Sequence, residues 1–377
     1  MQNHESRPAV LVLEDGTIFH GKSAGVIGKT SGEIAFNTGM YGYQEIFTDP
    51  SYYGQIVVMT TAHIGNYGVE DNEVESDGLK VAGIVSKKFS EVHSRAAASG
   101  SLQDYLEKDS KVGICDVDTR SLVRHIREKG AMNAIIASDG SNEKDLLKEV
   151  KEIPSMAGLE LSSKVSTKSI YTVKAVKPIA KVALLDLGVK TSIVRCLADR
   201  GCDVTVYPLQ TPAEEILSTN PDGIMLSNGP GDPSAMGETI EKVKDIVNSG
   251  IPVFGICLGH QVIALSQGLT TQKMFNGHRG VNHPVKNLIT GKCEVTSQNH
   301  GFVVNYKEAE EHANIEITHV HLNDQSLAGI QLKNKPVFSV QFHPEASAGP
   351  HDSRYLFDQF IKNIKQTKSA QLHKEKA

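Results

Sequence analysis

Cys257 has the most informative surroundings of any reactive side chain in this 377-residue sequence. An apolar run of strand length, residues 251–256, leads into it, and residues 258–265 read as a helix that opens at once. Gly255 and Gly259 stand two positions to either side, which gives the backbone room for a sharp strand-to-helix turn. Such a turn sets the sulfur beside the free N–H groups and positive dipole end of a helix, favouring thiolate over thiol. The plainer reading makes Cys257 a small apolar residue at a strand end. The paired glycines and Gln261 weigh against it, whereas Cys115, Cys196, Cys202 and Cys293 lack any such context.

A thiol nucleophile needs a base that takes its proton and later returns one to the leaving group, the work histidine does best near neutral pH. Among 15 histidines, His343 follows a strand-like run, residues 337–342, and precedes Pro344 and Glu345. Residues two apart in an extended segment point the same way, so Glu345 can steady the imidazole and stabilise its charged form. His260, inside the elbow, is assigned to packing or hydrogen bonding. The third component is the turn-rich loop 227–233, which follows a strand at 223–226. Parallel strands end at one sheet edge, so this loop and the elbow should meet there. Attack on an amide carbon creates an oxyanion, for which the N–H groups of Gly231 and Leu258 are the candidate donors. A phosphate-cradling role fails, because no Lys-Ser or Lys-Thr pair follows these glycines. Lys29-Thr30 fails as well, since Ser23 stands where a phosphate loop needs glycine. No ATP chemistry is expected on this chain.

These residues need a scaffold, and the sequence from residue 182 onward supplies one. Strand-length apolar runs at 182–187, 204–208, 223–226 and 251–256 alternate with helix-length segments at 191–199, 213–218 and 239–247. That rhythm predicts an α/β fold with an open, mostly parallel sheet and helices on both faces. After about residue 271 short strands are expected, the clearest at 327–332 and 337–341. A final helix follows, with Leu356, Phe357, Phe360, Ile361 and Ile364 as its core stripe and a frayed end over 366–377. The first half reads as a smaller mixed α/β, β-rich domain. A hairpin turns at Glu14-Asp15-Gly16, and helical composition appears at 121–127 and 144–152. A Lys, Ser and Thr mixture lacking sustained periodicity marks a linker at 164–181, between an amino-terminal domain at 1–163 and a carboxyl-terminal domain at 182–377.

Composition bounds the partners. With 39% hydrophobic and 22% charged residues the chain is of globular type, long enough for two cores. A net charge of −5 offers no basic field for nucleic acid. No apolar stretch has the length of a signal peptide core or a membrane span, so a cytoplasmic protein is expected. Five widely spaced cysteines without a C-x-x-C pair argue against disulfides and against a structural zinc site.

Gly255, Cys257, Gly259 and Gln261, the loop 227–233, and Phe342 through Ala346 together resemble the class I, triad-type glutamine amidotransferases. The resemblance implies a Cys257, His343, Glu345 triad and contributions from Gly229, Gly231, Leu258 and Gln261 to binding glutamine or its oxyanion. The first half adds residues 11–17, Gly32-Glu33, 36–46, 48–52, 63–66 and 118–122, and the second adds 280–285 and 298–302. Over nearly the whole chain the pattern is similar to the small-subunit family of carbamoyl-phosphate synthetases, with Tyr41 departing from the usual Thr. That family implies that Ser51 reaches the glutamine site and that Asn299, Gly301 and Phe302 help bind the substrate. The alternative readings are a turn residue for Ser51 and a hairpin loop for 299–302. It also implies a larger partner subunit that carries ATP and divalent metal, receives ammonia and makes carbamoyl phosphate for arginine or pyrimidine synthesis, with no cofactor on this chain. Two rivals are a freestanding γ-glutamyl hydrolase, which has no need of the first domain, and a catalytically silent module, which has no need of an intact triad.

Overall fold

The structure, a computed structural model, describes the backbone of residues 6–375 and the side chains up to residue 370. The chain divides into two compact units, one of residues 1–156 with 275–280 and the other of residues 157–274 with 281–377.

In the first unit seven strands close into a barrel, in the order Pro8–Leu13, Ile18–Gly25, Val112–Cys115, Gly83–Val85, Gln55–Met59, Lys29–Asn37, Asn133–Ala137 and back to Pro8–Leu13. The opening hairpin forms where expected. Gly16 takes a φ of 94° that other residues avoid, and Asp15 Oδ1 accepts from the Thr17 N–H at 3.0 Å. Strand periodicity then sorts the side chains: Leu11 and Leu13 join a buried cluster with Ile34, Ile56, Ile114 and Ile136. Val12 faces the other way and packs with Ile135, Leu146 and Val150. The expected helices are present as Thr119–Lys129 and Glu143–Val150. Asp118 and Asn142 cap them by accepting from Ser121 N and Lys144 N.

The second unit is built on a ten-stranded mixed sheet. Its centre is parallel: Cys202–Pro208, Ala180–Asp186, Gly223–Leu226, Val253–Ile256 and Val337–Val340 run side by side in that order. Alternate residues of Ala180–Asp186 show why helices cover both faces. Ala183 and Leu185 pack with Ile216, Val243, Ile246 and Val262. Val182 and Leu184 pack with Ile193, Leu197, Phe357, Phe360 and Ile364. The carboxyl-terminal helix thus buries the stripe read from the sequence, and it extends to Glu375 where fraying was expected from residue 366; residues 376–377 lie outside the described part. Segment 164–181 belongs to this unit, where Tyr171–Val173 pairs antiparallel with Cys202–Pro208. Residues 271–304 hold two long strands, Thr271–Asn287 and Cys293–Val304, in place of short ones. Among the described residues no helix is long and apolar enough to cross a membrane.

Candidate active site

Three neighbouring parallel strands deliver the reactive residues. Leu226 lies opposite Gly255 and Ile256 opposite Val340, so the loop 227–233, Cys257 and His343 all leave the sheet at one carboxyl edge. Cys257 sits at φ 54° and ψ −103°, in the gap between Val253–Ile256 and the helix Leu258–Ser266. A non-glycine residue held at positive φ is strained, and the surrounding structure must hold it there. The Cys257 N–H donates to Val340 O at 2.9 Å and Gln261 N–H to Cys257 O at 3.1 Å, clamping the turn from both sides. The flanking glycines are required by space. A Cβ on Gly259 would lie 2.3 Å from the Leu226 carbonyl oxygen, and one on Gly255 would lie 2.8 Å from the Gly259 backbone.

The loop 227–233 is fixed by its own polar side chains. Ser227 Oγ accepts from Leu187 N at 2.9 Å and donates to Asn228 O at 2.8 Å. Asn228 Oδ1 accepts from Lys190 N at 3.0 Å, and Asp232 Oδ2 from Gly158 N at 2.8 Å. A Cβ on Gly229 would meet Leu187 O at 2.1 Å, so only glycine lets the loop pass so closely; Gly231 takes a φ of 96°. Loop and elbow are joined directly by the Gly259 N–H, which donates to Ser227 O at 3.0 Å. Leu258 opens the helix, where N–H groups have no acceptor within the helix and point outward from its N-terminus.

His343 is buried, and its N–H donates to Ser297 O at 2.9 Å, which pins it against Cys293–Val304. Its Nδ1 bonds Glu345 Oε1 at 2.7 Å, leaving Nε2 without a conventional hydrogen-bond partner. Burial pushes the imidazole pKa down, but the Glu345 carboxylate and the nearby Cys257 thiol overcome this and raise it above the ordinary histidine range. Glu345 is wholly buried as well. Burial favours its neutral form, yet Lys190 and then His343 hold the pKa well below the usual carboxylate range. The triad residues read from the sequence are therefore brought together. Cys257 Sγ donates to Asn299 O at 3.5 Å and accepts from Gln341 Nε2 at 3.7 Å.

The remaining candidates fall in three groups. Gln261 is buried beside the elbow, and its Nε2 donates to Phe302 O at 2.8 Å and Gln341 Oε1 at 3.0 Å. Asn299, Gly301 and Phe302 lie within the strand Cys293–Val304, not in a hairpin loop. Ser51 belongs to the first unit, in the 3-10 turn Pro50–Tyr52, with its N–H donated to Asp49 Oδ1 at 2.9 Å. Two residues of this site were not read from the sequence. Lys190 is buried, with Nζ donating to Glu345 Oε1 at 3.0 Å and Ala346 O at 2.7 Å. Its signal was a lysine at the N-cap of Thr191–Ala198, a position where Ser, Thr, Asp or Asn is preferred and a cation opposes the dipole. Gln341 touches the sulfur from the strand end, and nothing local in the sequence marks it.

Residues 183–363 match the family model described as glutamine amidotransferase class-I, and residues 11–136 match the carbamoyl-phosphate synthase small chain CPSase domain. A carbamoyl phosphate synthase small chain of Vibrio vulnificus is 48% identical over 377 residues, covering 96% of this chain and 99% of its own length. That of Polynucleobacter necessarius is 47% identical, covering 94% and 95%. The one from Chlorobaculum tepidum is 46% identical, covering 96% and 99%. With a strained cysteine elbow beside a buried His-Glu pair, and matched almost end to end by such relatives, the chain belongs to the carbamoyl phosphate synthase small chain family and is a glutamine-hydrolysing, class-I amidotransferase subunit.

Proposed function

We propose that Cys257 attacks the side-chain amide carbon of glutamine and that the ammonia released passes to a large, ATP-using subunit, which joins it to bicarbonate in making carbamoyl phosphate. The Cys257 sulfur forms a bond to the carbonyl carbon, whose oxygen takes the negative charge and is met by the N–H groups of Leu258 and Gly231. His343 carries the thiol proton and gives it to the departing nitrogen, so ammonia leaves and a γ-glutamyl thioester remains. Water then gives a proton to His343 and attacks the thioester carbon. The thiolate departs, takes back its proton, and glutamate is freed. Glu345 holds the imidazole in the tautomer this exchange needs, and Gln261, Asn299, Gly301 and Phe302 form the glutamine-side wall. Nucleophile, acid and base are all side chains of this chain, so the reaction requires no cofactor here. ATP and divalent metal belong to the partner's step.

The observation that carries the reading is the 2.7 Å His343 to Glu345 bond with the strained Cys257 thiol beside the same imidazole. The test is Cys257→Ser in the complex with the large subunit. Glutamine-dependent carbamoyl phosphate synthesis should fall by ~10³-fold or more while synthesis from ammonium salts persists. Equal loss of both activities would overturn the assignment.

A further inference from the structure

The segment 280–285 was singled out by the sequence, yet its histidine plays no part in the glutamine chemistry. His283 lies near the end of Thr271–Asn287, and His321 closes the antiparallel partner Ile315–His321, with Val285 directly opposite His321. The two rings are tilted at 59° to one another, with His283 Nδ1 and His321 Nε2 3.0 Å apart. His321 is 1% exposed and His283 is half-buried, so one ring is locked in the sheet while the other borders solvent. The far edge of His321 is held too. Asp324 Oδ1 lies 3.2 Å from its Nδ1, and the Asn323 N–H points at the same nitrogen at 3.2 Å. His283 is fixed through its backbone, where its carbonyl accepts from Thr296 Oγ1 at 2.9 Å.

We propose that His283 Nδ1 and His321 Nε2 form a two-imidazole site for a divalent transition cation of the zinc class. A metal bonded to two imidazole nitrogens at ~2.1 Å with a right angle between them sets those nitrogens ~3.0 Å apart, and a tetrahedral angle sets them ~3.4 Å apart. The observed separation lies within that range, and the inter-ring hydrogen bond is the contact a cation replaces as each ring turns its lone pair toward the shared position. Imidazole is a preferred ligand for zinc, copper and nickel, and hard cations such as magnesium and calcium favour oxygen. Asp324 supplies the carboxylate that commonly backs a metal-bound histidine. Nδ1 of His321 accepts from the Asn323 N–H, so the proton lies between the two rings; a cation that displaces it leaves Nδ1 to take up a proton facing the Asp324 carboxylate. Binding needs no redox step. The proton shared at the ring edge leaves that position, and water fills the remaining coordination places on the solvent side. The cation ties the end of Ile315–His321 to Thr271–Asn287 and stabilises the folded second unit by linkage.

The experiment uses the full chain carrying Cys257→Ser and Cys293→Ser, which removes the nucleophile and the exposed thiol as competing zinc ligands. Calorimetric titration with zinc chloride should show one tight site per chain, accompanied by a rise in the thermal unfolding midpoint. His283→Asn and His321→Asn should each abolish that site, and Asp324→Asn should weaken it by ~10- to 100-fold while keeping the stoichiometry. If His321→Asn does not fold, His283→Asn at the half-buried ring decides alone. Absence of a tight site in the parent, or a site of equal affinity in His283→Asn, overturns the proposal.

Discussion

At the scale of single residues, the chemistry turns on a chain of buried charge in which each member fixes the next. Lys190 donates to Glu345, Glu345 accepts from His343, and His343 lies against the Cys257 thiol. Lys190 is the outermost link, and its side chain is only 4% exposed, so its charge is justified only by what it holds. Lys190→Met leaves the Glu345 carboxylate with His343 as its remaining charged partner and removes the donor to Ala346 O. Stability should fall by about 3–5 kcal/mol, the usual range for breaking a buried pair from one side. A second readout separates this from simple destabilisation. Lys190 lowers the Glu345 pKa, so without it the carboxylate protonates at higher pH as acid is added. The acid limb of the glutamine hydrolysis rate should therefore move upward in pH. An unchanged acid limb together with an unchanged urea midpoint would count against the role given to Lys190.

Among the secondary-structure elements, the elbow and its neighbouring loop act as one piece, because Gly259 both lets the Leu226 carbonyl approach and donates to Ser227 O. Gly259→Ala places a methyl group 2.3 Å from that oxygen, and the helix Leu258–Ser266 can relieve the clash only by moving away from the loop. Strain of this kind costs about 1–3 kcal/mol, and a displacement near 1 Å at a reacting centre costs ~10²-fold in rate. Assays of the assembled enzyme should show glutamine-dependent turnover down by that factor with ammonia-dependent turnover retained. Wild-type glutamine turnover in this variant would refute the coupling. The same elements show what the sequence could and could not reveal. Strands such as Val253–Ile256 are wholly buried and stand out as apolar runs, and the residues at their carboxyl ends announce the nucleophile and base. Thr271–Asn287 was read as shorter pieces because most of its residues are half-buried or exposed, giving little apolar signal over its 17 residues. The barrel was legible as strands but not as a closed barrel, since closure rests on pairing Pro8–Leu13 with Asn133–Ala137, more than a hundred residues away. Gln341 escaped for the same reason, since strand pairing that no local pattern records brings it to the sulfur, whereas Lys190 left only the sign of a lysine at a helix N-cap.

For the molecule as a whole, the second unit contains two further histidines whose burial makes its stability depend on pH. His260 is fully buried on the elbow helix, with Nδ1 bonded to Ser339 Oγ at 2.9 Å and Nε2 unpartnered. Burial, reinforced by His319, lowers its pKa to about 3. His319 packs edge-on against Phe342 and bonds Thr318 Oγ1, and burial lowers its pKa to about 4. Both groups are neutral when folded, and both gain protons near pH 6.5 when unfolded. Between that pH and about 4 the unfolded chain binds more protons, so stability rises with pH and is lost on acidification. At pH 5 the loss relative to neutral pH amounts to about 2 kcal/mol for each histidine. The raised pKa of His343 opposes this slope around and above pH 6.5, where the folded ring keeps a proton that the unfolded chain loses; further into acid the ring is protonated in both states and adds no slope. The lowered pKa of Glu345 acts only further into acid. Buried Glu294 and Asp186 have raised pKa values and act in the opposite sense as the pH falls through them, so they offset part of the loss at the acid end. Urea unfolding followed from pH 7.5 to 5 should show a midpoint that declines steadily below about 6.5. His319→Gln should flatten that decline even if it lowers the midpoint at neutral pH, since the substituted side chain has no proton to gain. A midpoint constant from pH 7.5 to 5, or a slope untouched by His319→Gln, would mean that these rings are not held neutral by the fold.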